Sequence, residues 1–450
     1  MAHTIGPHLG ALHDAAACEI RRIAASASRG ACRRRNDVKI PDSRLFQGLG
    51  TSSMPKDCTV PIPSVGECAV HLELLELFYY LQVRVLQSTE LDAAFGIHPD
   101  KKTVFRKNYS SRRYEPVVLR DKTFETRRKA KWHCFLDLAV LRFIRWAIKI
   151  DEAMESKGIR IPLLPPLDIL MVWHALLLNP VQFEKYCVDN KLTSICKLPF
   201  PWLDIHKAID SENCLYKPAE HDRLELPSDS LSDLDLFQHL VELGRAEDKA
   251  RATLSRDSPQ PSQVTASGNE PPWVKSGTLR ENVERQASFV DKMHAQLWIR
   301  SPAVEGTLRR AVDRYEKFLW LFKHYPLTTL VPTLDIDLVW HTHLCSPEHY
   351  RHSMVARTGR FINHADTISK EVLSHGIDKT AEFFLVRFGQ EYDVCKCWDC
   401  EAIALAIEER VDCDTDRKMP LEASIEDIVH LVQGYRAMEL ERRLARPLSF

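Results

Sequence analysis

The chain lacks the features that define several large classes of protein. It has no apolar run of about 18 residues or more, so no helix is expected to span a membrane. Its formal net charge is −1, whereas contacts to nucleic-acid phosphates need a local excess of Lys and Arg. It contains no Gly-x-Ser-x-Gly elbow and no Gly-rich phosphate-binding loop. We therefore expect a soluble or peripheral protein that has no convincing nucleic-acid motif and lies outside these enzyme classes.

The cysteines show no disulfide framework. There are 13, an odd number, scattered from Cys18 to Cys413, and the amino terminus has no apolar core of a secretory signal. Reduced thiols in the cytoplasm are therefore expected. The region 1–35 is rich in Ala, Ser and Arg, as mitochondrial presequences are. Mitochondrial import is thus one alternative, and a disordered basic tail is the other.

Composition along the chain predicts two helical domains. Residues 1–66 are rich in Gly, Pro and Ser without periodicity, and are expected to be disordered. Apolar residues then recur at helical spacing, and 67–243 form the first predicted domain. Residues 244–275 have almost no large apolar side chains and predict a flexible linker, which leads into a second domain at 276–450. The predicted fold is all-α, with two repeat-related helical domains joined by this linker.

A strongly basic segment lies inside the first predicted domain. From Lys101 to Lys131 there are twelve basic and three acidic residues, interleaved with aromatic side chains. Such a segment is typical of a solvated, irregular connection whose charges keep it away from the core. A patch that binds phosphate or an acidic partner is the alternative.

One motif occurs twice in the chain. The sequence PPLDILMVWHALLLNPVQF, from residue 165, aligns without gaps with PTLDIDLVWHTHLCSPEHY, from residue 332. The Asp of Leu-Asp-Ile falls in the first turn of a helix, where a carboxylate complements the helix dipole. Asn179-Pro180 in the first motif and Ser346-Pro347 in the second supply a cap and first residue for another helix. Each motif therefore predicts a helix, a tight corner and a second helix.

The second motif carries polar side chains where the first is apolar. His343 stands at the position of Leu176, and Asp337 replaces Leu170 one turn before His341. The downstream sequence GRFINHAD adds another His and Asp. The resulting candidate site consists of Asp337, His341, His343, His364 and Asp366.

This candidate site has the nitrogen and oxygen donors that suit zinc or non-haem iron. His341 and His343 are two residues apart, and on a helix such side chains point about 200° apart. They cannot both bind one ion unless the helix is broken. A buried network of hydrogen-bonded Asp and His side chains is the alternative to a metal site.

A second candidate metal site lies near the carboxyl terminus. Cys395, Cys397 and Cys400 fall within six residues, and Cys413 or a distant His is a candidate fourth ligand. Four thiolates are a common structural zinc site, although the usual pair of Cys-x-x-Cys knuckles is absent. Buried free thiols, which behave as small apolar groups, are the alternative.

Together these motifs resemble a known family. WHALLLNP, LDIDLVWHTHLCSPEHY, GRFINHAD and FGQEYDVCKCWDCE, in this order, are similar to the glycine-rich domain-containing protein-like family of plants and fungi, over about residues 130–402. The resemblance implies a domain without an assigned biochemical function, associated in plant members with stress and growth responses. The 16 glycines are dispersed, with no glycine-rich tail and no aromatic RNA-recognition motif. The positions that match the family's characteristic residues are Asp335, Asp337, Trp340, His341, His343, Pro347, Tyr350, His364 and Asp366.

Two hypotheses for the function follow. The first is a non-catalytic intracellular protein that binds an unknown protein partner through a surface shaped by the Trp-His helices. The second is a metal-dependent enzyme with its site in the second motif and zinc or iron as its cofactor. The sequence favours the first hypothesis, because neither candidate cluster has the standard spacing of metal ligands.

Overall fold

The structure is a computed structural model that describes residues 41–50, 61–100, 102–157, 164–218, 235–253, 276–365, 370–412 and, between 425 and 439, all but 427, 431 and 438. These regions are mainly helical, which confirms the predicted fold class. None of their helices is long and apolar enough to cross a membrane. In chain order the α-helices are α1 (Val65–Gln87), α2 (Thr89–Ala94), α3 (Phe124–Lys157), α4 (Leu167–Leu177), α5 (Pro180–Asp189), α6 (Trp202–Ala208), α7 (Leu236–Thr253), α8 (Ser276–Gln296), α9 (Val304–His324), α10 (Leu334–Leu344), α11 (Pro347–Thr358), α12 (Lys370–Phe388) and α13 (Trp398–Asp412). The strands are β1 (Lys102–Lys107), β2 (Tyr114–Leu119), β3 (Ile209–Asp210) and β4 (Leu215–Tyr216), which pair as two antiparallel hairpins.

The chain divides into two compact units that do not follow chain order. One unit combines the described residues up to 76, those from 177 to 217 and those from 288 onward. The other combines the described residues of 77–176 and 218–287. The division into domains at 67–243 and 276–450 stays a prediction, because hydrophobic periodicity reports local elements and not which elements pack together.

The basic segment forms a β-hairpin and the start of a helix, which corrects the expected irregular connection. β1 and β2 pair from Lys102 opposite Leu119 to Lys107 opposite Tyr114. The Thr, Val and Phe residues of these strands favour extended backbone. Phe105 and Tyr114 share one face of the hairpin and are 68% and 69% exposed. The hairpin thus stays away from the core, as expected, and whether it binds an anionic partner stays a prediction.

Two further segments contain more structure than the sequence predicted. Within 1–66 the structure describes a 3-10 helix, Ser43–Phe46, in which the Asp42 carboxylate accepts a hydrogen bond from the backbone N–H of Arg44. Residues 244–253 of the predicted linker belong to α7, and 254–275 lie outside the described residues. The prediction that the linker is flexible therefore concerns only this latter part.

Both motifs form a helix, a corner and a second helix, α4–α5 and α10–α11. Pro180 and Pro347 begin the second helices, as predicted. Asn179 and Ser346 stand at the capping positions, but neither side chain caps its helix. Their ψ angles, 76° and 80°, lie below the extended range in which such side chains usually reach the helix amides.

Helix α10 is buried along almost its whole length. Its Trp340 ring packs against Phe318 and Phe322 of α9, with ring centroids 5.8 and 5.6 Å apart. These two α9 residues are four positions apart and so lie on one face of the helix. From Leu338 to Leu344 every residue of α10 is buried. The polar side chains of α10 therefore need partners inside the unit.

Candidate metal centre

A buried ion pair holds the start of α10. Oδ2 of Asp335 lies 2.8 Å from Nε of Arg314 on α9, and the hydroxyl of Thr333 donates to Oδ1 over 2.6 Å. Burial by itself would raise the pKa of Asp335, but Arg314 and Lys396 outweigh it and lower this pKa. The carboxylate therefore stays charged and ties α10 to α9.

The first motif contains a matching ion pair in its own unit. Oδ2 of Asp168 lies 2.8 Å from Nε of Arg142 on α3, although here burial raises the pKa of Asp168 to about 6. Sequence reasoning missed both pairs, because it explained the two Asp residues by the helix dipole. The available signal was Arg142 itself, which stands on an otherwise apolar helix face and so needs a buried partner.

A chain of hydrogen bonds brings the segment after α11 back to α10. The indole N–H of Trp340 donates to the hydroxyl of Tyr350 over 2.9 Å, and this hydroxyl donates to the carbonyl oxygen of Ile362 over 2.7 Å. Gly359 ends α11 with φ at 77°, a left-handed conformation that suits glycine and lets the chain reverse. His364, two residues beyond Ile362, thereby lies beside α10.

Three of the predicted ligands converge at this place. Nε2 of His341 and Nε2 of His364 are 3.1 Å apart, and Oδ1 of Asp337 is 3.3 Å from the first and 3.6 Å from the second. Asp337 and His341 meet because they are one helical turn apart on α10. The three atoms, which come from two separate elements, surround one point.

Hydrogen bonding assigns the proton on one of the two rings. Nδ1 of His364 lies 3.1 Å from the carbonyl oxygen of Leu178, which can only accept, so Nδ1 carries the proton. In the neutral ring Nε2 then presents its lone pair to His341 and Asp337. Oδ1 of Asp337 lies 3.3 Å from Nε2 of His341 and 3.6 Å from Nε2 of His364, at the edge of hydrogen-bonding distance. Such electron-rich atoms repel one another unless a positive centre lies among them, either a proton on His341 or a metal ion.

The surroundings keep this point mostly dry, with one exposed side. The ring of His341 packs on Phe289 at 4.3 Å between centroids, and the ring of His364 meets Trp340 edge-on at 5.0 Å. His341 is 3% exposed and Asp337 is 22% exposed. Burial would raise the pKa of Asp337, but the two histidines outweigh it and lower this pKa. Asp337 is the most exposed of the three side chains.

The remaining candidates do not join the cluster in the described structure. α10 is unbroken, and Nδ1 of His343 lies 2.9 Å from the hydroxyl of Tyr315 on α9, away from His341. Burial lowers the pKa of His343 to about 3, so this ring is neutral near neutral pH. Asp366 lies outside the described residues.

The first motif offers no equivalent site. His174 aligns with His341 and is 2% exposed, but the position of Asp337 is taken by Leu170, which is fully buried. The ring of His174 packs against Phe78 at 5.5 Å between centroids. Only the second motif, among the described residues, therefore carries a carboxylate one turn before its Trp-His pair.

The predicted thiol cluster also comes together. The Sγ atoms of Cys395, Cys397 and Cys400 lie within 4.8 Å of one another, and the side chains are half-buried and free of disulfides. Hydrogen bonds from the other two thiols lower the pKa of Cys395. The candidate fourth ligand, Cys413, lies outside the described residues.

Comparison with known proteins identifies the region around the second motif. Residues 244–353 match the profile of the glycine-rich domain-containing protein-like (GRDP-like) family. The chain is therefore similar to this family over 110 of its 450 residues. The family predicted from the sequence motifs is thereby confirmed. The matched range of the GRDP-like domain contains Asp337 and His341 and ends before His364.

Two curated relatives from Arabidopsis thaliana are named for the same domain. Glycine-rich domain-containing protein 1 is 30% identical over 279 residues, which cover 57% of this chain and 29% of the relative. Glycine-rich domain-containing protein 2 is 26% identical over 285 residues, which cover 57% of this chain and 30% of the relative. The chain thus spans less than a third of either relative. No solved structure matches it.

Proposed function

We propose that this protein is metal-dependent and binds one zinc or ferrous ion through Asp337, His341 and His364. The observation that carries the proposal is the convergence of two imidazole Nε2 atoms and one carboxylate oxygen on a single point. Two histidines and one carboxylate are the ligand set of many catalytic zinc sites and of non-haem iron oxygenases. The geometry thus favours the second of the two functions considered from the sequence.

The distances between the ligand atoms fit an ion of this size. An ion about 2.1 Å from each ligand places neighbouring ligand atoms about 3.0 Å apart at a right angle and about 3.4 Å apart in a tetrahedron. The observed separations are 3.1, 3.3 and 3.6 Å. The three side chains would need to shift by only a few tenths of an ångström to bind the ion.

The hydrogen bond from His364 to Leu178 also supports a metal site. Metal-binding histidines usually donate their second ring N–H to a carbonyl or carboxylate, which fixes the ring and the tautomer. Here that donor is Nδ1 of His364, 3.1 Å from the carbonyl oxygen of Leu178. The ligand is therefore held in the state that a metal requires.

Three protein ligands leave coordination positions for water and a substrate. Structural zinc sites are closed by four protein ligands, whereas catalytic sites keep a position open. The exposed side of Asp337 is where such a position would meet solvent. A bound zinc ion would lower the pKa of its water to about 7 and supply a nucleophile, and ferrous iron would supply a site for oxygen.

The experiment is elemental analysis of the full chain after removal of metal and reloading with Zn²⁺, or with Fe²⁺ without air. Replacement of His341 by Gln, or of Asp337 by Asn, should remove one equivalent of ion relative to the parent chain. His174→Gln is the matched control, since this buried histidine of the first motif has Leu170 at the position aligned with Asp337, and should leave the metal content unchanged.

Thermal unfolding gives a second measurement. At a free metal concentration of about 100 times the Kd of this site, binding there should stabilise the parent by about 2.7 kcal/mol more than Asp337→Asn. If the parent and both site variants contain the same amount of metal, the three side chains share a proton and the non-catalytic hypothesis stands. Asp337→Asn keeps the side-chain shape at a partly exposed position, so loss of the fold would not obscure the result.

A further inference from the structure

The loop between α12 and α13 is fixed by hydrogen bonds to its backbone. The indole N–H of Trp298 donates to the carbonyl oxygen of Lys396 over 2.9 Å. The guanidinium of Arg314 donates to the carbonyl oxygen of Tyr392 over 2.6 Å. Trp398 in turn donates to a carbonyl oxygen at the end of α8 over 2.8 Å. The backbone that carries the cysteines is therefore preorganised.

The three thiols, two in this loop and one in the first turn of α13, lie close enough together to share one metal ion. A zinc ion about 2.3 Å from each sulfur in a tetrahedron places the sulfurs about 3.8 Å apart. The Sγ atoms of Cys395, Cys397 and Cys400 lie within 4.8 Å of one another. Cys400 stands in the first turn of α13, and hydrogen bonds to Cys395 and Cys397 raise the pKa of its thiol.

A redox disulfide is the competing interpretation, because Cys397-Trp-Asp-Cys400 is a Cys-x-x-Cys sequence at the start of a helix. A disulfide would join two of the thiols and leave Cys395 without a role. A zinc ion engages all three. We infer that Cys395, Cys397 and Cys400 bind a zinc ion as thiolates, at a site separate from the histidine–carboxylate cluster and independent of it.

This zinc ion would hold Lys396 in place beside the start of α10. Lys396 lies between two of the ligands in sequence, and its ammonium is 3.7 Å from Oδ2 of Asp335 and 3.3 Å from Oε1 of Glu401. A metal ion that holds this loop in place therefore also holds the ammonium group of Lys396 beside the buried carboxylate of Asp335. Three thiolates leave one position of a tetrahedral zinc ion for a further ligand, and the ion would join the loop to the helix that follows it.

The test uses the full chain, reduced and freed of metal, titrated with Co²⁺ alone. Thiolate ligands give cobalt an intense charge-transfer band in the near ultraviolet, and nitrogen or oxygen ligands do not. We expect the parent to show this band and Zn²⁺ to abolish it by displacing cobalt. Cys397→Ser should weaken cobalt binding at least tenfold. Cys134→Ser, at an exposed cysteine outside the cluster, is the matched control and should leave the band unchanged.

Asp337→Asn separates this inference from the proposed function. The band should persist in Asp337→Asn, even if the proposal for that site fails, since the thiolates do not depend on it. The inference is wrong if the reduced parent gives no band, if Cys397→Ser keeps the full band, or if Asp337→Asn abolishes it. Peptide mapping that finds a disulfide between Cys397 and Cys400 in metal-loaded protein would likewise overturn it.

Discussion

His343 should make the fold less stable in acid. Its ring is buried on α10, with Nδ1 2.9 Å from the hydroxyl of Tyr315. Burial, with smaller contributions from Arg357 and His349, lowers its pKa to about 3. In the unfolded chain the same ring has a pKa of about 6.5. Between these values the unfolded chain binds a proton that the folded chain does not, so stability falls as the pH falls below about 6.5.

The size of the effect follows from the two pKa values. The free energy of unfolding changes by at most about 1.4 kcal/mol for each pH unit and each proton. Between about pH 8 and about pH 5 the stability falls mainly below about pH 6.5, because the histidine of the unfolded chain takes up its proton only near and below that pKa. The loss assigned to His343 over this range is therefore about 2 kcal/mol.

Urea unfolding of the parent and of the double variant Tyr315→Phe/His343→Leu, at both pH values and in EDTA, measures this loss. The first motif has Leu176 at the aligned position, so a leucine suits a helix of this kind. The double variant also removes the hydroxyl that would otherwise be left without its partner. We expect the parent to lose about 2 kcal/mol more than the variant. Equal losses in the two proteins would refute the reasoning, and Tyr315→Phe alone should retain the pH dependence.

Three other changes have predictable effects on urea unfolding. Arg314→Met should lower the free energy of unfolding by about 3 kcal/mol, because it leaves the carboxylate of Asp335 buried without its guanidinium; a loss below about 1 kcal/mol would contradict this. Phe105→Ser should change it by less than about 0.5 kcal/mol, since this ring is 68% exposed, and a larger loss would show that the hairpin packs. Trp340→Phe should cost about 1–2 kcal/mol through the lost hydrogen bond to Tyr350 and the smaller ring, and an unchanged midpoint would argue against that bond.

Local periodicity accounts for the parts of the fold that sequence reasoning placed well. The spacing of apolar residues predicted the motif helices. The two prolines of the motifs predicted where α5 and α11 begin. Helix geometry alone also places His343 and His341 on different faces of α10, because they are two residues apart. Such predictions succeed because they concern residues within a few positions of each other.

The features that sequence reasoning missed have a common physical origin. The hairpin of β1 and β2 depends on pairing across a turn, and the basic charges of the segment hid the alternation of Thr, Val and Phe. The partners of Asp168 and Asp335 are arginines on preceding helices, more than 20 residues away in sequence. No rule based on spacing along one helix can find them.

The sequence by itself determined which side chains could act: Asp337 and His341 one turn apart on one helix, and three cysteines within a short loop. The tertiary structure decided which of them meet. His364 reaches the cluster only because hydrogen bonds from Trp340 through Tyr350 hold the returning segment against α10. Backbone geometry propagates over a few residues, whereas the approach of distant segments depends on side-chain packing and hydrogen bonds across the whole unit.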